Sequence, residues 1–236
     1  MKLLKSSSAL KADAREILLG KYKTAIYAYV LTELIITSIP TLLKLQVNTQ
    51  TPTGLLLYYL AYFIVSLLAS VIITGHDYMY LNMCRGREFG LNNLWVAFRS
   101  CADKAILSSL IIYVKSLLYA VPCAIAFLIM LATANYYFAL LVGAGAVFMI
   151  VGITCVRIDY SQVFYLLTDR PELSARELLS ESKSMMHGHR GSYFYLMVSF
   201  IGIYLLSVLT FGIGMLWIYP YITATKTGYY LELTRN

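Results

Sequence analysis

Charged residues in this chain are sorted into four segments, and the apolar stretches between those segments are long enough to cross a bilayer. The basic residues make the sorting plain. An N-terminal arm holds Lys2, Lys5, Lys11, Arg15, Lys21 and Lys23, and the segment 75–104 holds Arg85, Arg87, Arg99 and Lys104. The segment 157–192 holds Arg157, Arg170, Arg176, Lys183 and Arg190, and the tail holds Lys226 and Arg235. Of the 19 Lys and Arg residues, only Lys44 and Lys115 lie elsewhere. The connections 46–53, 133–135 and 212–214 carry no charge.

Such a chain cannot close around one aqueous core. It is 59% hydrophobic and 13% charged, where a soluble domain is roughly a quarter charged, so there are too few charges to cover an outside. Crossing the hydrocarbon layer takes about 20 mostly apolar residues. Six stretches meet that length or approach it: 22–45, 54–74, 105–131, 136–156, 193–211 and 214–231. The last is interrupted by Pro220, Thr223, Thr225, Lys226 and Thr227. The expected fold is all-α, a polytopic membrane bundle of six transmembrane helices forming one integral membrane domain over residues 1–236. The first stretch reads as an uncleaved span, because Asp13 and Glu16 precede it and no small-residue cleavage site follows.

Cytoplasmic loops are enriched in Lys and Arg. That rule places both termini and the two long loops in the cytoplasm, with the chain multi-pass in the cell inner membrane. The net charge of +7 then lies beside the bilayer, where anionic headgroups attract it by about 1 kcal/mol per basic residue. No soluble basic domain or stacking platform accompanies it, so no nucleic-acid partner is expected.

The charged segments carry helical patterns. Ser174-Ala175-Arg176-Glu177 fits a capping box, and Leu178, Leu179, Ser182, Met185 and Met186 follow along one face. Gly188 is placed to end that helix. In the arm, Ser7 or Ser8 can cap a helix whose stripe is Leu10, Ala14, Ile17 and Leu18, ended by Gly20. A shorter version spans 92–99, with Leu94, Trp95 and Phe98 as its apolar members. Each precedes two spans, which suggests three helix-plus-hairpin units at 1–75, 76–157 and 158–236. Amphipathic helices in this position lie in the headgroup plane with the apolar face dipping inward.

Two ionisable residues stand inside the predicted spans. Glu33 and Lys115 each lie about 15 Å from the cytoplasmic edge at 1.5 Å per residue. A lone charge there costs about 2.5–3.5 kcal/mol, so the two are expected as an intramembrane polar pair. Ala139, Gly143, Ala144, Gly145 and Ala146 offer a small-residue packing face, and Pro122 is expected to kink the third span. Tyrosines near the span ends, among them Tyr22, Tyr27, Tyr58, Tyr59, Tyr136, Tyr137, Tyr193, Tyr219, Tyr221, Tyr229 and Tyr230, read with Trp217 as an interfacial belt.

Catalytic patterns are missing. GxSxG, HExxH, Walker A and EF-hand signatures are absent. His76-Asp77 follows the second predicted span, and His187-Gly188-His189 precedes the fifth without completing a tetrahedral ligand set. The four cysteines have no ligand spacing and read as reduced thiols. No catalytic residue, metal or cofactor is expected.

The run 169–175, then Glu181-Ser182-Lys183-Ser184-Met185-Met186-His187-Gly188-His189-Arg190, resembles a bacterial family of integral membrane proteins, Domain of Unknown Function 975. The match continues through 200–206, Thr210-Phe211-Gly212-Ile213-Gly214 and Tyr219-Pro220-Tyr221, with Arg85-Gly86 and Gly20-Lys21-Tyr22 upstream. His187 stands where that pattern leads one to expect Lys. More loosely, the cassette resembles the membrane domain attached to some glycerophosphodiester phosphodiesterases. The resemblance implies a membrane location and supplies no activity. The expected function is a non-enzymatic membrane module that binds anionic lipid headgroups, or a membrane or cytoplasmic protein partner, through Arg176, Lys183, His187, His189 and Arg190. The alternative is a small transporter or permease-like protein working through Glu33 and Lys115.

Overall fold

A computed structural model of the chain describes residues 4–133 and 136–235. Lys2 of the basic arm, and residues 134 and 135 of the second uncharged connection, lie outside them. The described residues form helices throughout: α1 Ser7–Leu18, α2 Tyr22–Gln46, α3 Pro52–Cys84, α4 Val96–Ser100, α5 Ala102–Thr133 and α6 Ala139–Asp159, followed by α7 Val163–Asp169, α8 Ala175–Met186, α9 Arg190–Val198, α10 Ile201–Leu209 and α11 Met215–Thr234. Short 3-10 turns at Leu91–Trp95 and Tyr136–Phe138 lead into α4 and α6.

Five helical stretches are long and apolar enough to cross a membrane: α2, α3, α5, α6 continuing through α7, and α9 with α10. Their outer halves present Leu, Ile, Val and Phe to the surroundings, including Leu55–Leu57 of α3, Leu117 and Leu128 of α5, and Leu140 and Val151 of α6. An apolar surface this continuous is what lipid covers. α11, the sixth predicted stretch, is not among the five. It is instead heavily enclosed, with Thr223, Ala224, Thr225, Thr227, Tyr229 and Tyr230 buried.

The packed core gathers at the end of the bundle that carries the charged loops. There α7 and α8 bury Leu166, Leu167 and Leu178 against Leu81 of α3 and Tyr230 of α11. Next to it, Leu18 of α1 and Ala25 and Ala28 of α2 pack with Met79 and Met83 of α3. The apolar stripes of α1 and α8 are therefore covered largely by protein. Leu10, Ala14 and Leu18, and Leu178, Leu179, Ser182 and Met186, are all buried. The third predicted amphipathic segment begins as a 3-10 turn, and of its apolar members only Leu94 is buried, while Trp95 and Phe98 remain exposed.

Two joints between amphipathic helix and span share one geometry. After α1, Leu19 stands at φ −57°, ψ 125°, Gly20 at φ +75° and Lys21 at φ −112°, ψ −3°. After α8, His187 stands at φ −65°, ψ 124°, Gly188 at φ +81° and His189 at φ −113°, ψ −1°. Both are type II turns, whose third position needs positive φ and so favours glycine. Each closes with the residue after glycine donating to the last helical carbonyl, Lys21 to Leu18 at 2.9 Å and His189 to Met186 at 3.0 Å. Between α4 and α5 the joint is Cys101 at φ −153° and contains no glycine.

The small-residue face of α6 is used at particular positions. A Cβ on Gly145 would meet the Cys123 backbone of α5 at 2.9 Å, and one on Gly152 would enter the Tyr119 ring, whereas Gly143 faces open space. Pro122 lies within an α5 that is helical from Ala102 to Thr133. The tyrosine belt divides similarly. Tyr27, Tyr59, Tyr136 and Tyr137 are exposed, while Tyr193, Tyr229 and Tyr230 are core residues.

Candidate functional site

Where α8 passes the junction of α5 and α6, an open cleft of about 460 Å³ is lined by Ile111, Lys115, Tyr160, Arg176, Leu179, Ser180 and Lys183. Three of these seven are cations and none is acidic. Ile111 and Leu179 supply an apolar wall.

The cleft is built from ordinary local rules. Ser174 caps α8, its hydroxyl accepting from the Glu177 N–H at 3.4 Å while the Glu177 carboxylate accepts from the Ser174 N–H at 2.8 Å. Those bonds to the ionised form hold the Glu177 carboxyl below the usual carboxylate range. From that start, Arg176, Ser180 and Lys183 recur at i, i+4 and i+7, one face of a helix. The adjoining face is pinned to the core, where the Ser182 hydroxyl donates to the Asp159 carbonyl at 2.7 Å. Arg170 bridges to Glu181 at 3.0 Å, and the Lys104 ammonium donates to the Pro171 carbonyl. α8 thus cannot roll, and Arg176 and Lys183 are held toward α5. Among the described residues neither forms an ion pair, which leaves both free for an external anion.

Lys115 enters the same cleft. Its ammonium donates to the Tyr160 hydroxyl just beyond α6 and lies 4.5 Å from the centre of that ring. The sequence alone counts Lys115 as mid-bilayer because it starts the span at residue 105. The first turns of α5 instead belong to the core, with Ala105, Ser108 and Ser109 buried. That shift brings the Lys115 ammonium level with α8. The polar pair with Glu33 does not form. No ion pair joins them among the described residues, and the Lys115 ammonium is bonded to Tyr160 instead.

The remaining predicted contacts have other duties. Arg190 grips Asp159 in a two-pronged pair, Nε to Oδ1 at 2.6 Å and a terminal nitrogen to Oδ2 at 2.8 Å, so it locks α9 to the end of α6. The His189 carbonyl accepts from Ser192 at 2.8 Å and Tyr229 at 3.1 Å. His187 is the exposed turn residue after α8 and lines neither cleft. A second opening of about 450 Å³ near the start of α1 takes in Lys5, Ser7, His189 and Tyr229. Its cation is already spoken for, since Lys5 bridges Asp13 at 2.8 Å, a bond that raises its pKa.

A second polar region sits at the core, around the His76-Asp77 pair that the sequence places after the second span. His76 and Asp77 are not in a loop, because α3 runs on to Cys84. The His76 side chain is 2% exposed, its Nδ1 is 4.0 Å from Asp77 Oδ1, and its Nε2 has no partner. The His76 ring lies 4.9 Å from the Tyr80 ring of the same helix and 5.6 Å from the Tyr219 ring of α11. The adjacent acid and imidazole were the available signal. Nearby, Arg85 and Asp169 pair at 2.6 and 2.7 Å, with Tyr230 donating to the same carboxylate at 2.8 Å.

A family model described as "Protein of unknown function (DUF975)" matches residues 1–236. The chain belongs to this family. No curated protein and no solved structure matches this DUF975 chain.

Proposed function

We propose that this DUF975 protein is a non-enzymatic, multi-pass protein of the cell inner membrane, with both termini cytoplasmic, that holds an anionic lipid headgroup in the cleft of Lys115, Arg176 and Lys183. The single observation that carries this reading is three unneutralised cations around one opening that has an apolar wall and no carboxylate. A phosphodiester supplies the complementary anion, and its acyl chains can follow Ile111 along α5 into the apolar surface. Arg offers a fork that suits phosphate oxygens and Lys a mobile point charge, while the Ser180 and Tyr160 hydroxyls add hydrogen-bonding partners.

In this orientation the uncharged reversals between α2 and α3, α5 and α6, and α10 and α11 face away from the cytoplasm. The charged segments face inward, and α11 forms the sixth crossing by packing among the others. The apolar faces of α1 and α8 are consumed by the core, so their exposed polar faces are what a headgroup or a cytoplasmic partner meets.

The test is lipid retention. Wild-type protein purified in mild detergent is compared with Arg176→Gln/Lys183→Gln by native mass spectrometry after exchange into mixed phosphatidylglycerol and phosphatidylcholine. Selective retention of phosphatidylglycerol by the wild type, and its loss in the variant, is the expected result. Equal retention of both lipids by the wild type would remove the headgroup reading.

A further inference from the structure

The cleft between α5 and α8 holds more positive charge than one phosphodiester answers. Lys115, Arg176 and Lys183 line it, and among the described residues no carboxylate does. The acids nearest to it along the chain are committed. Asp159 takes both prongs of Arg190, Glu181 takes Arg170, and Glu177 accepts from the Ser174 N–H at the start of α8. At about 100° per residue, Glu177 and Glu181 also stand round the helix from the face of Arg176, Ser180 and Lys183. Other basic residues of the charged layer are matched: Arg85 pairs with Asp169, while Lys5, in the second opening, has Asp13 at 2.8 Å and Glu232 at 3.9 Å. The excess is local to this cleft.

Donors and acceptors can be counted as well. The Lys115 ammonium spends one N–H on the Tyr160 hydroxyl and keeps two. The Tyr160 hydroxyl, accepting from Lys115, is left with its own proton to donate. A phosphodiester presents one negative charge and two unbridged oxygens. A phosphomonoester presents three such oxygens and, above its second ionisation near about pH 6, close to two charges. Each of the three cations then has an oxygen of its own, whereas a diester leaves the third cation facing an ester oxygen. The surroundings favour a lipid as the carrier of that group. Ile111, Lys115 and Leu118 recur at spacings of four and three on one face of α5, and Leu118 is exposed, as are Val114 and Leu117 beside it. An acyl chain leaving the headgroup meets these side chains directly.

Building on the headgroup reading above, we infer that the cleft selects a phosphomonoester lipid, of the phosphatidate class, over phosphodiester lipids such as phosphatidylglycerol. Lys115, Arg176 and Lys183 each hold one phosphate oxygen, and the Tyr160 and Ser180 hydroxyls add to that hold. Ile111 and Leu179 receive the start of the acyl chains.

The experiment titrates the full chain in mild detergent, by calorimetry, with dioctanoyl phosphatidate, phosphatidylglycerol and phosphatidylcholine, and with glycerol 3-phosphate, at pH 8 and pH 5. At pH 8 phosphatidate should bind about ten-fold more tightly than phosphatidylglycerol, equivalent to one further charge-assisted hydrogen bond. At pH 5 that ratio should fall toward one, because the monoester has regained its second proton and no histidine or carboxyl lines the cleft to titrate in its place. Lys183→Gln, on the exposed face of α8, should lower the ratio at pH 8 by about three-fold. Equal affinity for phosphatidate and phosphatidylglycerol, both above phosphatidylcholine, would overturn the inference and leave the anionic-headgroup reading in place. No preference for either over phosphatidylcholine would overturn both. Binding of glycerol 3-phosphate as tight as that of phosphatidate would overturn the assignment to a lipid.

Discussion

The Lys115 ammonium is turned to the Tyr160 hydroxyl, so the one basic residue of α5 that sequence places mid-bilayer shares a cleft with α8. Tyr160 aims that ammonium and also presents its ring to it at 4.5 Å. Tyr160→Phe should keep the ring contact and lose the hydrogen bond. Phosphatidylglycerol affinity is expected to fall about three- to ten-fold, which corresponds to roughly 1 kcal/mol for a hydrogen bond to a charged group at a wet site. Isothermal titration in mixed micelles measures it, and unchanged affinity would mean that Lys115 is held by the fold alone.

Arg190 and Asp159 join α9 to the end of α6 through two short bonds. Asp159 is the more buried partner, at 12% side-chain exposure against 46% for Arg190. Asp159→Asn should therefore lower stability, by about 1–2 kcal/mol once solvent screening of the exposed guanidinium is allowed for. Thermal unfolding in detergent checks this. Arg190→Gln should destabilise similarly yet leave lipid selectivity in place, which separates a structural arginine from a headgroup contact.

Glycine positions differ in why they resist substitution. A Cβ on Gly20, at φ +75°, would meet open space, so Gly20→Ala should cost only the left-handed backbone penalty, about 1–2 kcal/mol. A Cβ on Gly75 would instead overlap the Leu94 carbonyl, which belongs to backbone and cannot swing aside. Gly75→Ala should lower the melting temperature more than Gly20→Ala does. The reverse order would show that the α3 contact with the 3-10 turn is not close-packed.

The Glu177 carboxyl is held below its ordinary pKa by the Ser174 N–H and hydroxyl. A depressed acid contributes stability that is complete above its unfolded value, about 4.3, and that is lost as pH falls through the lower, folded value. The start of α8 should accordingly fray in that acidic window and not near neutrality. Hydrogen exchange at residues 175–178, compared between wild type and Glu177→Gln across pH 3–7, tests the sign: the variant should be pH-insensitive where the wild type is not.

Much of the helical plan was legible before any coordinates. The capping box at Ser174 and Glu177 and the turn glycines Gly20 and Gly188 each follow from rules that act within a few residues. The arm helix is capped earlier than the expected Ser7 or Ser8, because it is the Ser6 hydroxyl that accepts from the Ala9 N–H. Half of the candidate cleft was legible as well, since Arg176 and Lys183 share a helical face wherever that helix lies. The absence of the expected Glu33–Lys115 pair, with Lys115 bonded to Tyr160 instead, was not. Depth can be counted along a chain, but the rotation of one helix against another depends on everything packed between them.

Sequence by itself determined that this chain is a set of long apolar helices with charge kept to their connections, because burying charge in lipid is prohibitive whatever the tertiary arrangement. It also determined where the amphipathic helices begin and end. Only the tertiary structure decided that their apolar faces serve the protein core, that Arg190 is committed to Asp159, and that Lys115 joins α8 through Tyr160. Those outcomes rest on long-range packing, in which many weak contacts are summed across helices far apart in sequence, and no local spacing encodes that sum.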